Sequence, residues 1–363
     1  MEFFIENYTN FLILHKIPYQ IGFFLWYAIE FVLIAVLILI SVFIFIFAER
    51  KILAIYTINK RPNCIGLGSC LQIVSDTVKL MFKENIILGK ADKTLFVLAP
   101  IIYIVPIIIS CMILPLSSGF LPVKSDVAVL LFITVILMPA LGILCAGYSS
   151  ANKFSLSGAL RVCSQMISYE IPLVISVMAI VVLSGTMSLQ KIVEVQYANG
   201  LLSWFCFPAF IGFIVFFICA LAEMKRAPFD FSKSESELIK GYNTEYSGMK
   251  FAMFYIGEYA FSFVLCMFAV LLFFGGYLPP VPFFVANFFE DSSLLYGLIL
   301  SIEQFLHLIV KTFILLFLVI LTGIAVPRLR SDMITSLCWK YLIPLSLLNL
   351  LIVCLIKLGG FYG

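Results

Sequence analysis

The sequence predicts an all-α polytopic membrane protein with about eight transmembrane helices and an interfacial amphipathic helix in the first inner loop. Three observations carry the prediction: a composition poor in charge, apolar runs of membrane-spanning length, and basic residues confined to alternate connections. Of 363 residues, 63% are apolar and 12% charged, against about 45–50% and about 25% in an average soluble domain. So little charge cannot clothe a water-facing surface of this size. A soluble enzyme, a disordered chain and a secreted disulfide scaffold are excluded. The expectation is one membrane domain over 1–363.

A spanning helix needs about 20 mostly apolar residues. Such runs fall at roughly 26–47, 94–116, 127–149, 162–185, 201–222, 251–276, 296–321 and 340–358. Pro106, Pro139, Pro172 and Pro208 lie within them, which a bundle tolerates because neighbouring helices satisfy the freed carbonyls. The N-terminal stretch carries Glu2 and Glu6 in place of a basic region. It reads as a tail entering a retained first helix rather than a cleaved signal.

The connections after spans 1, 3, 5 and 7 hold 8, 2, 5 and 3 of the 23 Lys and Arg residues. The opposite face holds only Lys16, Lys124, Lys191 and Lys357. By the positive-inside rule this places both termini outside and the long loops 48–93 and 223–250 inside. In the first of these, Leu71, Val74, Val78, Met81 and Phe82 recur at helical spacing around Asp76, Lys79 and Lys83. That pattern describes an amphipathic helix at the membrane surface, equally readable as a plain interfacial anchor.

Metal chemistry is not expected. The ten cysteines form no CxxC and mostly fall inside apolar runs, where cysteine behaves as a small buried hydrophobe. Two histidines, His15 and His307, are too few to ligate a pair of haems. The GLGSC stretch at Gly66 lacks both the third glycine and the preceding strand of a dinucleotide fingerprint.

Carboxylates inside apolar spans are expensive and functional by default. Glu30, Glu170, Glu258 and Glu303 are in this position. Glu30 lies near the outer end of its span and is expected to reach the interface. Glu303, His307 and Lys311 are spaced i, i+4, i+8 on one helix face, either a self-neutralising stripe or a protonatable step. Tyr169-Glu170 and Glu258-Tyr259 pair an acid with an adjacent phenol. Adjacent residues point about 100° apart, so each acid must find its partner on another helix. The densest polar segment runs from Glu223 to Lys250 and balances five acids against five bases, which by charge alone describes a solvated loop. Glu235 and Glu237 are too close for both to be buried and ionised.

Longer motifs then carry a resemblance. They are Glu49-Arg50-Lys51; Leu71-Gln72 with Asp76; Gly158-Ala159-Leu160-Arg161; Gln165-Met166-Ile167-Ser168-Tyr169-Glu170; Ala222-Glu223 with Arg226-Ala227-Pro228-Phe229-Asp230; Glu235-Ser236-Glu237-Leu238; Gly241 to Met249; Gly257-Glu258-Tyr259; and Pro327-Arg328. In this order, over about 45–345, the sequence resembles membrane-arm subunit 1 of NADH:quinone oxidoreductase, respiratory complex I, and its bacterial counterpart. The resemblance implies a subunit without redox centres of its own, whose inner loops dock the peripheral arm and shape a quinone chamber. Ubiquinone is the implied substrate, with NADH, FMN and iron–sulfur clusters held by partner subunits. The implied partners are the quinone-site and terminal iron–sulfur subunits of the peripheral arm, adjacent small membrane subunits and the lipid bilayer, with no nucleic acid.

Carried over by position, Arg50, Asp76, Arg226, Phe229 and Asp230 line the quinone channel. Glu170, Glu223, Glu235, Glu237, Glu245 and Glu258 form an acidic path toward proton-pumping subunits. Tyr169, Glu303, His307 and Lys311 are secondary candidates. Three positions depart from the family pattern: Lys233 where an acid is usual, Arg61 where glycine is usual, and Gly323 where arginine is usual. Two alternatives stay open, the same subunit type in a membrane-bound hydrogenase-like complex and a stand-alone ion-coupled carrier. The abundance of Phe (37 residues) and of Ile points to an AT-rich gene. The expected location is the mitochondrial inner membrane, with a bacterial plasma membrane as the alternative.

Overall fold

A computed structural model describes residues 19–57, 70–197, 203–230, 241–279 and 294–359. Among the described residues the regular structure is helical throughout. In chain order the helices are α1 (Tyr19–Tyr56), α2 (Cys70–Phe82), α3 (Lys93–Ile113), α4 (Ala128–Ser149), α5 (Lys153–Ser184), α6 (Leu189–Val195), α7 (Phe210–Glu223), α8 (Gly248–Phe273), α9 (Leu294–Ala325), α10 (Ser331–Leu337) and α11 (Ile343–Leu358). A 3₁₀ turn at Gly241–Asn243 precedes α8, and a π-helical turn at Cys338–Leu342 fuses α10 to α11.

Among the described residues, seven helical stretches are long and apolar enough to cross a membrane, and they match seven of the eight expected runs. The exception is the run expected at 201–222. Its helix α7 has 14 residues, or about 21 Å at 1.5 Å per residue, and the turns before it carry the chain over the rest of a hydrocarbon core of about 30 Å, from Cys206 N–H on the Phe273 carbonyl to Arg226 beside Glu49. Its first part is built as turns, because Pro208 brings no N–H and turns the preceding residue away from helix. Gln196, which is fully buried, accepts from Phe205 N–H in these turns at 3.5 Å. Its amide donates to the Leu271 and Leu272 carbonyls at 3.1 and 3.2 Å and accepts from Gly275 N–H at 2.9 Å. One side chain thereby closes both the end of α8 and the approach to α7.

Helix α8 is the hub. The most apolar window of this helix is 94% buried, against 22–50% for the other spans, and it packs on α1, α2, α3, α6, α7 and α9. Phe132 of α4 stacks on Phe268 at 3.9 Å, and Phe213 of α7 meets Phe273 edge-on at 5.4 Å. Aromatic pairs of this kind add about 0.5–1.5 kcal/mol each beyond the area they bury. Close approach on α8 requires small residues. A Cβ at Gly257 would lie 2.6 Å from the Tyr103 ring, and one at Gly142 of α4 would lie 2.8 Å from the Tyr103 backbone.

Two boundaries differ from the sequence expectation. Helix α1 continues to Tyr56, so Glu49-Arg50-Lys51 rides on its last turns rather than in a loop. Helix α5 begins at Lys153, where Asn152 caps it by accepting from Phe154 N–H at 3.0 Å. Helix α2 has the expected stripe: Leu71, Val74, Val78, Met81 and Phe82 are exposed while Ile73 is buried. Glu30, expected at the interface, is instead only 2% exposed, because α1 turns that face into the bundle.

Candidate functional site

The turn that follows α7, residues 224–230, is held from three sides. Arg226 Nη1 lies 3.1 Å from both carboxylate oxygens of Glu49 on α1. Its guanidinium also sits 5.1 Å from the Phe45 ring and 4.0 Å from the Tyr259 ring. Burial alone would lower the Arg226 pKa, but Glu49 and then Tyr259 hold it above its ordinary value, so this arginine is permanently charged. Gln165 of α5 donates to the carbonyls of Ala222 and Phe229 at 2.9 and 3.2 Å, one on each side of the turn. From a third direction, Leu329 N–H reaches the Pro228 carbonyl at 3.1 Å. Within this frame Ala227-Pro228 is a cis peptide. Phe229 is buried and meets Tyr169 edge-on at 5.5 Å.

Arg50 and Asp76, 26 residues apart, are brought together at 3.0 Å and join the end of α1 to the surface helix α2. Their side chains are 32% and 41% exposed, so this pair contributes at most about 1 kcal/mol. Its effect is to fix where α2 lies.

The half-buried Glu170 and the buried Glu223 and Glu258 occupy separate helices. Glu170 of α5 and Glu223 of α7 border one small cavity, walled otherwise by Ile133, Ile136, Leu137, Leu173, Val174, Phe261 and Leu265. The cavity is on the order of one water molecule in size. Glu223 is 4% exposed, and its Oε1 is buried without a hydrogen-bond partner. Glu258 of α8 accepts from the Tyr242 phenol at 2.5 Å. Burial, followed by the charge of Glu258, raises the Tyr242 pKa well above its usual value, so Tyr242 remains the donor. Tyr169 points away from Glu170 and donates to the Ile334 carbonyl at 2.9 Å, as their angular separation demands.

Glu245 accepts from Asn152 Nδ2 at 2.7 Å. It stands on the rim of an open cavity lined by Leu88, Lys90, Asn152, Lys153 and Phe154 among others, with about 490 Å³ of space. The same Asn152 that caps α5 therefore also places Glu245. Glu235, Glu237 and Lys233 lie outside the described residues, as does Arg61.

On α9, Glu303, His307 and Lys311 share a half-buried stripe. Lys311 Nζ donates to the carbonyls of Phe274, Gly276 and Leu278 at 2.8, 2.9 and 2.6 Å and lies 4.5 Å from the Trp204 ring. An ammonium has three donors, and here all three close the end of α8. Gly323 faces the cis turn: a Cβ there would meet the Ala227 carbonyl at 3.4 Å, so the turn packs against α9 at a position with no side chain.

Sequence reasoning passes over Lys225, Tyr103, Tyr242 and Asn152 as site residues. Lys225 falls in a charge-balanced loop, where no pattern separates a solvated lysine from a buried one. It is in fact 2% exposed, with φ 53°. The other three depend on long-range packing.

These features sit on one continuous stretch of sequence that a protein-family comparison also covers. The family model described as NADH dehydrogenase matches residues 29–354, from the first span to the last and including both ends of every contact above. The chain therefore belongs to the NADH dehydrogenase family, as a multi-pass membrane subunit of respiratory complex I.

Proposed function

We propose that this subunit shapes the quinone channel of complex I and carries the acidic path that couples quinone reduction to proton translocation. Arg50, Asp76, Arg226, Phe229 and Asp230 form the channel side. Glu170, Glu223, Glu245 and Glu258, with Glu235 and Glu237, form the path. The inner loops 48–93 and 223–250 dock the peripheral arm, whose subunits deliver electrons, and the membrane is the mitochondrial inner membrane.

The observation that carries this reading is the cavity shared by Glu170 and Glu223. Two carboxylates facing one apolar space cannot both ionise cheaply, so a proton gained by one changes the favoured state of the other. Reducing a quinone to a quinol consumes two electrons and two protons, which alters charge at the channel. A row of coupled acids responds by redistributing its protons. The channel side needs an apolar wall with a few fixed polar groups, and the Arg226–Glu49 clamp with its aromatic flanks supplies them.

The test is Glu170→Gln and Glu223→Gln in assembled complex. Quinone-linked NADH oxidation should fall about tenfold or more in each. NADH oxidation by a water-soluble acceptor should be unchanged, showing that the peripheral arm is intact. Wild-type turnover and pumping in both variants would refute the path.

A further inference from the structure

Lys225 is the least expected charge in the molecule. It follows Glu223 by two residues, adopts a left-handed backbone conformation and is 2% exposed. Burying an ammonium is costly unless fixed partners replace its water. Two phenols are among the replacements. Nζ donates to Tyr103 Oη at 3.3 Å and lies 4.8 Å from the Tyr103 ring and 5.7 Å from the Tyr242 ring, distances at which ring faces attract a cation. Tyr103 is itself locked, because Gly142 and Gly257 leave no room around it. Tyr242 passes the contact onward, since its phenol donates to Glu258.

We propose that Lys225 is the internal counter-charge of the acidic path, a positioning residue that holds the Tyr242–Glu258 pair and offsets carboxylate charge as protons move between Glu223 and Glu258. The inference rests on the path proposed above and adds a cation to it. Tyr103 of α3 and Tyr242 touch Lys225 directly; Glu223 of α7 and Cys163 of α5 are near enough to feel its charge, Arg226 is the next residue in the chain, and Glu258 of α8 is reached through Tyr242. The carboxylates in that set gain from a neighbouring cation, whereas the phenols stay neutral, Tyr103 accepting from Lys225 and Tyr242 donating to Glu258.

The geometry leads to a defined expectation. Removing the charge while keeping the side-chain length, as in Lys225→Met, leaves the acids without their cation. They then hold protons at higher pH, and the acidic limb of the quinone-linked pH–rate profile moves up by about one unit. At the wild-type optimum this corresponds to a loss of up to about tenfold. Lys225→Arg keeps the charge, and its limb should stay at the wild-type pH whatever turnover survives the larger head group. Assembly of each variant is read from NADH oxidation with a soluble acceptor and from the size of the extracted complex.

A Lys225→Met complex that assembles and keeps the wild-type limb and turnover would overturn the proposal. So would a limb that moves equally in Lys225→Arg, which would mark a packing effect. If Lys225→Met fails to assemble, the comparison of Lys225→Arg with Lys225→Gln decides in the same way. Failure of the path itself looks different: Glu223→Gln would then be fully active. An inactive Glu223→Gln beside an unshifted Lys225→Met would refute only the counter-charge.

Discussion

At the residue scale, Arg226 shows how one side chain ties distant sequence together. Its partner Glu49 is 177 residues away, and no local pattern links the two. Glu49 is visible as part of one motif and Arg226 as part of another, but their pairing is a product of packing between α1 and the segment that joins α7 to α8. The guanidinium plane is needed to stack on Tyr259 while reaching a carboxylate, which an ammonium cannot do. Arg226→Lys should therefore lower the thermal midpoint of the complex, by the equivalent of about 1–3 kcal/mol, and should reduce quinone-linked turnover. Glu49→Gln combined with Arg226→Lys should cost less than the two single changes added together, and full additivity would disprove the coupling. The buried Lys225 illustrates the limit of reading charge from sequence. Five acids and five bases in one loop describe water exposure on average, and the average hides a lysine that is enclosed.

At the element scale, helix lengths and faces were mostly legible because a membrane core imposes a length and period 3.6 imposes a face. The stripe on α2 and the i, i+4, i+8 row on α9 appear where the pattern put them. The shortening of α7 was not legible, since the apolar run continues through Pro208 and hydropathy does not register a missing N–H. Nor was the role of Lys311 as a staple on the end of α8. Lys311→Met removes three donors from the carbonyls of Phe274, Gly276 and Leu278 and should destabilise the subunit by about 2–4 kcal/mol. Thermal inactivation of the purified complex measures this, and an unchanged midpoint would mean that water replaces the ammonium there. Proline has a similar consequence inside α5. Pro172 offers no N–H to the carbonyl four residues earlier, which belongs to Ser168, and the Cys338 thiol of the π turn lies 3.0 Å from that carbonyl as its donor. Cys338→Ser keeps a donor and should be near neutral, whereas Cys338→Val should cost about 1 kcal/mol in the same assay.

At the scale of the whole molecule, most basic residues belong to connections at one end of the bundle, and that asymmetry sets the expected orientation. Lys191, whose side chain is 57% exposed, belongs to the other end. Lys191→Cys should react with a membrane-impermeant thiol reagent from the outer side only, above the background of native thiols, and labelling from the inner side alone would invert the topology. The proline in α5 also gives the bundle a mechanical property. The stretch from Asn152 to Ser168 is a helical rod, about 24 Å long by its rise, whose near end grips Glu245. Its far end is the Ser168–Pro172 stretch, where the continuous helix lacks one backbone hydrogen bond, and Glu170 sits within that stretch, facing an acid carried by a different helix. A bend at that point would change the spacing of the two carboxylates and leave the Glu245 end in place. The last span grips Ser168 through Cys338, so a lipid-facing helix is tied to the wall of a cavity on the order of one water molecule in size.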